Sequence, residues 1–459
     1  WRSWDYGNRE VLMSRDQARL LSEPEDQTSL AYMLKLSAPM IVSTVSFTIM
    51  QFVDRFMVSR LGDDALGAVF GAGFVAFVPG GFALGALTSL NTFVSQSLGR
   101  GEKGECANYY WQALYMAAAY CVAVAIVMYP MAESIFRLMD QPESVIGLEV
   151  TYLRILLYAH VVAVINWTSN QFFMGIHRPV VTMCASLCGQ AVNVAANYLL
   201  IFGKFGFPRL GVAGAGWGTF IGISTAALVN ISMYLSPSIA SEYETRRVAR
   251  LSFHRMYNLL RVGLPAGVGL MVNVALWGVV LAKLVGRFGE PALAATSAVL
   301  SYTNLSVMPV VGLSMALTAS VGKAIGADRK RRATKQTRTC LRISIAYMGL
   351  VGVCFFVFRH GLMAFWSESA EVVDIGVDIL ICAAIYQAFH AVRVIYTGAL
   401  RGAGDTVWIA WVSSVGTLVV LGIGGLLLVW LWPALGALGP WIAAASSVVG
   451  VGLANRWGF

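Results

Sequence analysis

Twelve stretches of mostly apolar residues, each about 20 to 30 long, run through this chain and leave little choice of fold. They lie near 36–58, 66–94, 109–130, 149–173, 180–202, 212–235, 262–285, 293–321, 340–358, 377–399, 406–431 and 434–454. Each matches the roughly 20 residues that an α-helix needs to cross a bilayer. They are too long for strands and show no strict alternation, so helices are expected instead of a β-barrel. Only 12% of the residues are charged, about half the share in a soluble domain. A water-soluble enzyme or a nucleic-acid-binding protein is thereby excluded. The expected fold is an all-α polytopic membrane protein with twelve transmembrane helices.

The net charge of +9 has a topological explanation. Of the 33 Lys and Arg residues, 23 fall in the N-terminal segment, in alternate loops or at their edges. Six fall in the other loops, and four (Arg55, Arg154, Lys283, Arg393) lie inside the runs. Because basic residues accumulate on the cytoplasmic side, this asymmetry predicts a multi-pass protein of the plasma membrane with both termini cytoplasmic. Residues 1–30 form a polar N-terminal cytoplasmic segment without a visible signal peptide. The seven cysteines follow no ligand spacing and read as structural thiols.

The two groups of six runs repeat each other. "RLGDDALGAV" at 60–69 pairs with "RFGEPALAAT" at 287–296, an offset of 227. The same offset pairs Gly85 with Gly312, Gly99 with Gly326 and Gly175 with Gly402, while Pro39 and Pro265 pair at 226. Six spans per half give both halves the same orientation, a parallel repeat about an axis along the membrane normal. The predicted organisation is an N-lobe (31–235), a cytoplasmic inter-lobe linker (236–260) and a C-lobe (261–459). Two such pseudo-symmetric lobes enclose a central cavity able to open to either side. Pro39, Pro79, Pro265 and Pro309 lie inside spans, where proline removes a backbone bond and permits a bend. Pro39 and Pro265 are read as hinge candidates, a static kink being the equal alternative.

Neither a Walker A motif nor HExxH occurs, so the chain brings no nucleotide motor and no catalytic constellation of its own. It is not expected to be an enzyme, and no selectivity filter suggests a channel. Transport coupled to an ion gradient remains, and that needs a titratable or cation-binding group within the bilayer. Asp54 is the candidate: a carboxylate inside a span is costly and therefore functional by default. It stands 15 residues, about 22 Å of helix, beyond Pro39. Neutralisation by Arg55, or snorkelling to the nearby surface, is the competing explanation. Asn193 and Asn197, spaced i,i+4 on the fifth span, and Thr219 on the sixth reach similar depth. Their oxygens suit Na⁺ and can equally poise Asp54 for a proton. For the Asn pair alone, ordinary interhelical hydrogen bonding serves as well.

At this point the sequence resembles a multidrug and toxic compound extrusion (MATE) transporter over about residues 30–455. The resemblance rests on Pro39 with Asp54 in "MQFVDRFMVSRLGDDALGAV", on "NVAANYLLIFG" running into "LGVAGAGWGT", and on "YTGALRGAGDT". It implies two six-helix lobes around a V-shaped cavity and efflux of organic compounds against inward H⁺ or Na⁺ flow. It implies no cofactor beyond that ion. It makes Asp54, Asn193, Asn197 and Thr219 the cation-coupling set, a Na⁺ site in some members, and adds Asn170 as a nearby polar position. Asn197 stands where prokaryotic members often carry Asp, which tilts the reading toward H⁺. A second cation site found in one branch of the family would fall on Asn273 and His390, so it is expected to be missing. His390 is either a packing residue or a protonatable group. Trp277, Met315 and Tyr386, with Met271 and Met308, are candidate liners of the substrate cavity. Lys283 and Arg393 favour a neutral or anionic substrate, and they keep open a flippase of the same superfamily for a lipid-linked or amphipathic anionic substrate. The expected partners are a small organic substrate and the lipid bilayer, with no nucleic acid, and the protein is expected to be a monomer.

Overall fold

The computed structural model describes residues 25–139, 141–247 and 249–459. Most of the polar N-terminal segment lies outside the described residues. Twelve helices are long and apolar enough to cross a membrane. They are α1 (Leu30–Ser59), α2 (Asp63–Arg100), α3 (Lys103–Leu138), α4 (Glu143–Gly175), α5 (Pro179–Phe202), α6 (Val212–Tyr234), α7 (Phe253–Phe288), α8 (Glu290–Gly326), α9 (Lys330–Val357), α10 (Ala370–Ala403), α11 (Thr406–Leu431) and α12 (Leu438–Gly458). Most extend beyond the apolar runs, because polar residues at each mouth carry the helix several further turns. The stretch 236–260 is only partly a connector. Pro237–Tyr243 is a short helix, and α7 already begins at Phe253, where the Ser252 hydroxyl caps the first turn by accepting from the Arg255 amide.

The repeat is visible in which helices pack together. Within the first six, α2 packs on α4, α1 on α5, α4 on α6 and α5 on α6. Within the last six, α8 packs on α10, α7 on α11, α10 on α12 and α11 on α12. Each half is thus a six-helix lobe of the same design. Each lobe buries two large apolar clusters, one at either end. In the first lobe, Leu90, Tyr110, Phe172 and Tyr234 fill the end nearest the connecting segment, and Val58, Ile146, Leu153 and Ile201 fill the far end.

The lobes join through α2 against α7, α8 against α1, and α2 against α8. Glycine makes these approaches possible. A Cβ at Gly85 would stand 2.8 Å from the Gly267 Cα, and one at Gly312 would stand 2.7 Å from the Ile41 nitrogen. The two contacts are equivalents under the repeat. Gly99 and Gly326, also equivalents, bring the ends of α2 and α8 together, each backed by the other helix's main chain. Hydrogen bonds between lobes run from mid-bundle to the linker end. Thr44 Oγ1 donates to the Met308 carbonyl (3.1 Å), Thr92 Oγ1 to Arg401 (2.8 Å) and Gln96 Nε2 to Gly402 (3.1 Å). At that end Arg255 also makes a two-pronged ion pair with Glu105, at 2.9 and 2.8 Å. The linker ends of the lobes are therefore locked together.

Candidate functional site: a polar cluster in the first lobe

Asp54 lies near the far end of α1, half-buried, and faces α5. Asn197 Nδ2 donates to its Oδ1 at 2.7 Å, a short charge-assisted contact. The same amide lies 3.4 Å from Asn193 Oδ1, a longer and weaker contact. Both asparagines are buried, and their i,i+4 spacing on α5 puts both on the face toward Asp54, as the sequence predicts. Arg55 is exposed, and among the described residues no ion pair reaches Asp54, so Arg55 does not neutralise it.

Two features of α6 complete the cluster. Gly218 has no side chain where Asn197 Oδ1 projects, so the amide fits against the helix backbone. Thr219 donates its hydroxyl to the Ala215 carbonyl (3.0 Å), which leaves its oxygen lone pairs free to accept. Tyr152 of α4, buried, brings its phenol to Thr219, within electrostatic reach of Asp54. Sequence reading misses this tyrosine because an aromatic in an apolar run looks like packing. With both Asn197 protons engaged, its Oδ1 is a buried acceptor without a partner. One carboxylate surrounded by neutral oxygens, one of them unsatisfied, is a setting for a proton or a monovalent cation.

Asn170 does not join this cluster. It lies 18 residues beyond Tyr152 on α4, about 27 Å of helix, near the linker end. There Asn230 Nδ2 donates to Asn170 Oδ1 (2.9 Å) and Asn166 Oδ1 (2.8 Å), forming a separate asparagine triad.

The second lobe replaces the cluster with apolar residues. Helices α5 and α11 begin at Pro179 and Thr406, again 227 apart, so Asn193 and Asn197 correspond to Val420 and Gly424. The proline register of α1 and α7 pairs Asp54 with Val280. These positions fall in two π-helical segments, Leu276–Val280 and Leu418–Gly424, which pack on each other. The first lobe holds plain α-helix there. One helix pair thus carries a polar site and its twin an apolar junction.

Tyr386 is not a cavity liner: at 2% exposure it belongs to the second lobe's apolar core, with its ring 5.9 Å from that of His390 one turn on. Trp277 packs against the same core, with its Nε1 buried and unpartnered. Asn273 and Met315 are half-buried, and the Asn273 amide nitrogen has no partner. Met271 and Met308 lie at the lobe junction, against Gly81 and Thr44. Arg393 Nη2 donates to His390 Nε2 at 3.2 Å, and among the described residues neither forms an ion pair with a carboxylate. Pro39 and Pro265 each stand beside an interlobe glycine contact, Met40–Ile41 against Gly312 and Ala266–Gly267 against Gly85.

The MatE family model matches residues 39–199 and again 265–425, one copy in each lobe and starting at each proline. The chain belongs to the MATE family of transporters. It is a transporter and not an enzyme. Among curated relatives, a probable multidrug resistance protein NorM of Chromobacterium violaceum is 28% identical over 435 residues, covering 91% of this chain and 90% of that protein. The multidrug resistance protein PmpM of Pseudomonas aeruginosa is 27% identical over 387 residues, covering 83% of this chain and 80% of PmpM. The fold matches a MATE crystal structure in complex with MaL6, with a TM-score of 0.87 at 20% identity, across 97% of this chain and 98% of that one. It matches equally a MOP-superfamily transporter from Pyrococcus furiosus whose binding pocket has reverse polarity, at 0.87 and 21% identity across 98% of both chains.

Proposed function

We propose that this MATE transporter is a secondary antiporter that exports organic compounds in exchange for H⁺ or Na⁺, by alternating access of its two lobes. The contact between Asp54 and Asn197 carries the reading. It sets a carboxylate among neutral oxygens in one lobe, within a chain that has no motor of its own. Export of organic compounds is supported by the names of the relatives, which are multidrug resistance proteins. A single acid in the cluster favours H⁺ over Na⁺, because tight Na⁺ binding gains from a second carboxylate.

In this scheme residues 31–235 and 261–459 move as lobes about the segment 236–260, which lies in the cytoplasm with both termini. The locked linker end is then the cytoplasmic side, and the substrate path opens outward. Cation binding at Asp54 favours one lobe arrangement and substrate the other, the differential affinity that exchange requires. Pro39 and Pro265 let α1 and α7 bend where the opposite lobe leans on them.

A second reading, flipping of an amphipathic anionic or lipid-linked substrate, is favoured by one observation. Arg393, whose guanidinium donates to His390 Nε2, forms no ion pair with a carboxylate among the described residues. Transport in proteoliposomes under an imposed H⁺ or Na⁺ gradient separates the readings. Gradient-driven accumulation of an organic dye that Asp54→Asn abolishes supports antiport. Undiminished ion-driven transport by that variant overturns it.

A further inference from the structure

Glu149, on α4 near its far end, is fully enclosed: its exposure is 0%, and neither carboxyl oxygen has a hydrogen-bond partner. The pocket that holds it is apolar. Ile146, Val150 and Leu153 flank it on α4, within the far-end cluster that also includes Ala72 and Val75 of α2. Its Oε1 lies against Gly71 of α2, in the space that a Cβ there would occupy. An ionised carboxylate cannot persist in such a place without a counter-charge or donors.

Several titratable or charged groups lie at this end of the helices around α4: Asp64 on α2, Tyr129, Glu133 and Arg137 on α3, Glu143, Tyr152 and Arg154 on α4 itself, and Asp54 on α1. None bonds to Glu149. Arg137 is taken by Glu133 and Glu143, Arg154 lies over the Tyr129 ring, and Asp54 is held by Asn197. In this arrangement, therefore, Glu149 carries a proton.

The second lobe shows that the fold does not require an acid here. Helices α4 and α10 align without a gap from Glu143 and Ala370 onward, so Glu149 corresponds to Gly376 and Gly71 to Ala298. The equivalent space is filled by Met363, which packs on Gly376 and is itself fully buried. The first lobe keeps a carboxyl where its twin uses a thioether. That carboxyl is one turn from Tyr152, which reaches the Asp54 cluster. Gly71 lies on α2, the same helix that meets the other lobe at Gly85 and Gly99.

We propose that Glu149 is a second proton-binding site of the first lobe, loaded when α2 seats on α4 and emptied when that contact opens to water. On opening, the carboxylic acid releases its proton to water and becomes carboxylate. On closing, it takes one proton back before Gly71 can cover it. Each opening and closing thus releases one proton and takes one back with no net transfer, so lower pH favours the arrangement in which α2 is seated on α4. The proposal goes beyond the antiport reading and does not rest on it, because Gly71 and Glu149 belong to one lobe.

The test uses the full-length transporter. Infrared difference spectra of Asp54→Asn protein at neutral pH should show a protonated-carboxyl band that disappears in the Asp54→Asn/Glu149→Gln double variant. In detergent, the unfolding temperature of the wild type should fall as pH rises from about 5 to 8, because only the folded state holds this proton, and Glu149→Gln should flatten that dependence. If Gln impairs assembly, Glu149→Met, which copies the second lobe's own thioether, serves both readouts. Absence of the band, or an unchanged pH dependence in a folded variant, overturns the proposal. Loss of coupling in Asp54→Asn bears on the antiport reading alone, so the two can fail separately.

Discussion

Asn197 spends both amide protons on oxygens of its own lobe, one on Asp54 at 2.7 Å, and leaves its carbonyl oxygen buried without a donor. The residue therefore holds Asp54 in place and at the same time offers an unsatisfied ligand beside it. Asn197→Ala removes the donor and should destabilise the protein by about 1.5–3 kcal/mol, the range for a hydrogen bond to a charged group. Thermal unfolding in detergent measures this, and an unchanged midpoint would show that the contact contributes nothing.

Replacing the same residue by Asp distinguishes the two coupling ions. Asn197→Asp adds a second carboxylate within reach of Asn193 and Thr219, the change that oxygen-ligand chemistry needs for firmer Na⁺ binding. Added NaCl, against KCl at equal ionic strength, should raise the unfolding temperature of this variant more than that of wild type. Equal shifts would mean that the cluster does not hold the metal ion even with two acids.

At the linker end, Glu105 receives both Arg255 contacts and also a hydrogen bond from Asn108 at 2.8 Å. Arg255 stands in the first turn of α7, inside the segment 236–260, and Glu105 on α3, so the pair ties the base of α7 to the first lobe. Both side chains remain about 30% exposed, which keeps the bridge near the surface value of about 1 kcal/mol. Glu105→Gln and Arg255→Gln should each shift the lobe equilibrium about fivefold toward opening at this end. In a double-mutant cycle on transport rate, the two changes together should do little more than either alone.

The basic pair of the second lobe bears on substrate charge. Arg393→Gln removes the positive charge beside His390, and among the described residues the change breaks no ion pair. If Arg393 faces the substrate, inhibition of transport by anionic dyes should weaken about tenfold relative to cationic dyes. An unaltered ratio would assign Arg393 to packing.

Which of these features can be read in the sequence follows from what each depends on. The twelve spans, the two prolines and the repeat are periodic or local properties, and they appear in the structure at the expected places. Asn193 and Asn197 can be paired with Asp54 because helical spacing and depth are readable from residue number. Facing direction is not. Tyr386 in "YQAFHAVRV" has the depth of a cavity residue, yet it turns into the lobe core and takes the His390 ring with it. The family resemblance groups Asn170 with the Asp54 cluster, against its own depth on α4. Glu149 sits at the mouth of its apolar run, where a carboxyl ordinarily meets water. Only the tertiary approach of Gly71 encloses it.

The lobe junction offers a prediction that depends on symmetry. Gly85 meets Gly267 in the same way that Gly312 meets Ile41, with main chain on the far side in both cases. Main chain cannot swing away as a side chain can, so a methyl group at either glycine must push the helices apart. Overpacking of this kind costs about 1–3 kcal/mol, and it falls only on the arrangement in which the lobes touch. Gly85→Ala and Gly312→Ala should therefore disfavour the linker-end-closed form by similar factors, about fivefold to a hundredfold. Gly73, on the same helix as Gly85 but with open space around its would-be Cβ, is the control. A cysteine at position 95 reports the change, because Ser95 is buried in the junction against Gly322. Its alkylation by a polar maleimide should accelerate in both alanine variants and stay at the background rate with Gly73→Ala. Acceleration in one variant alone would mean that the two junctions do not open together, and that the lobes do not move as a symmetric pair.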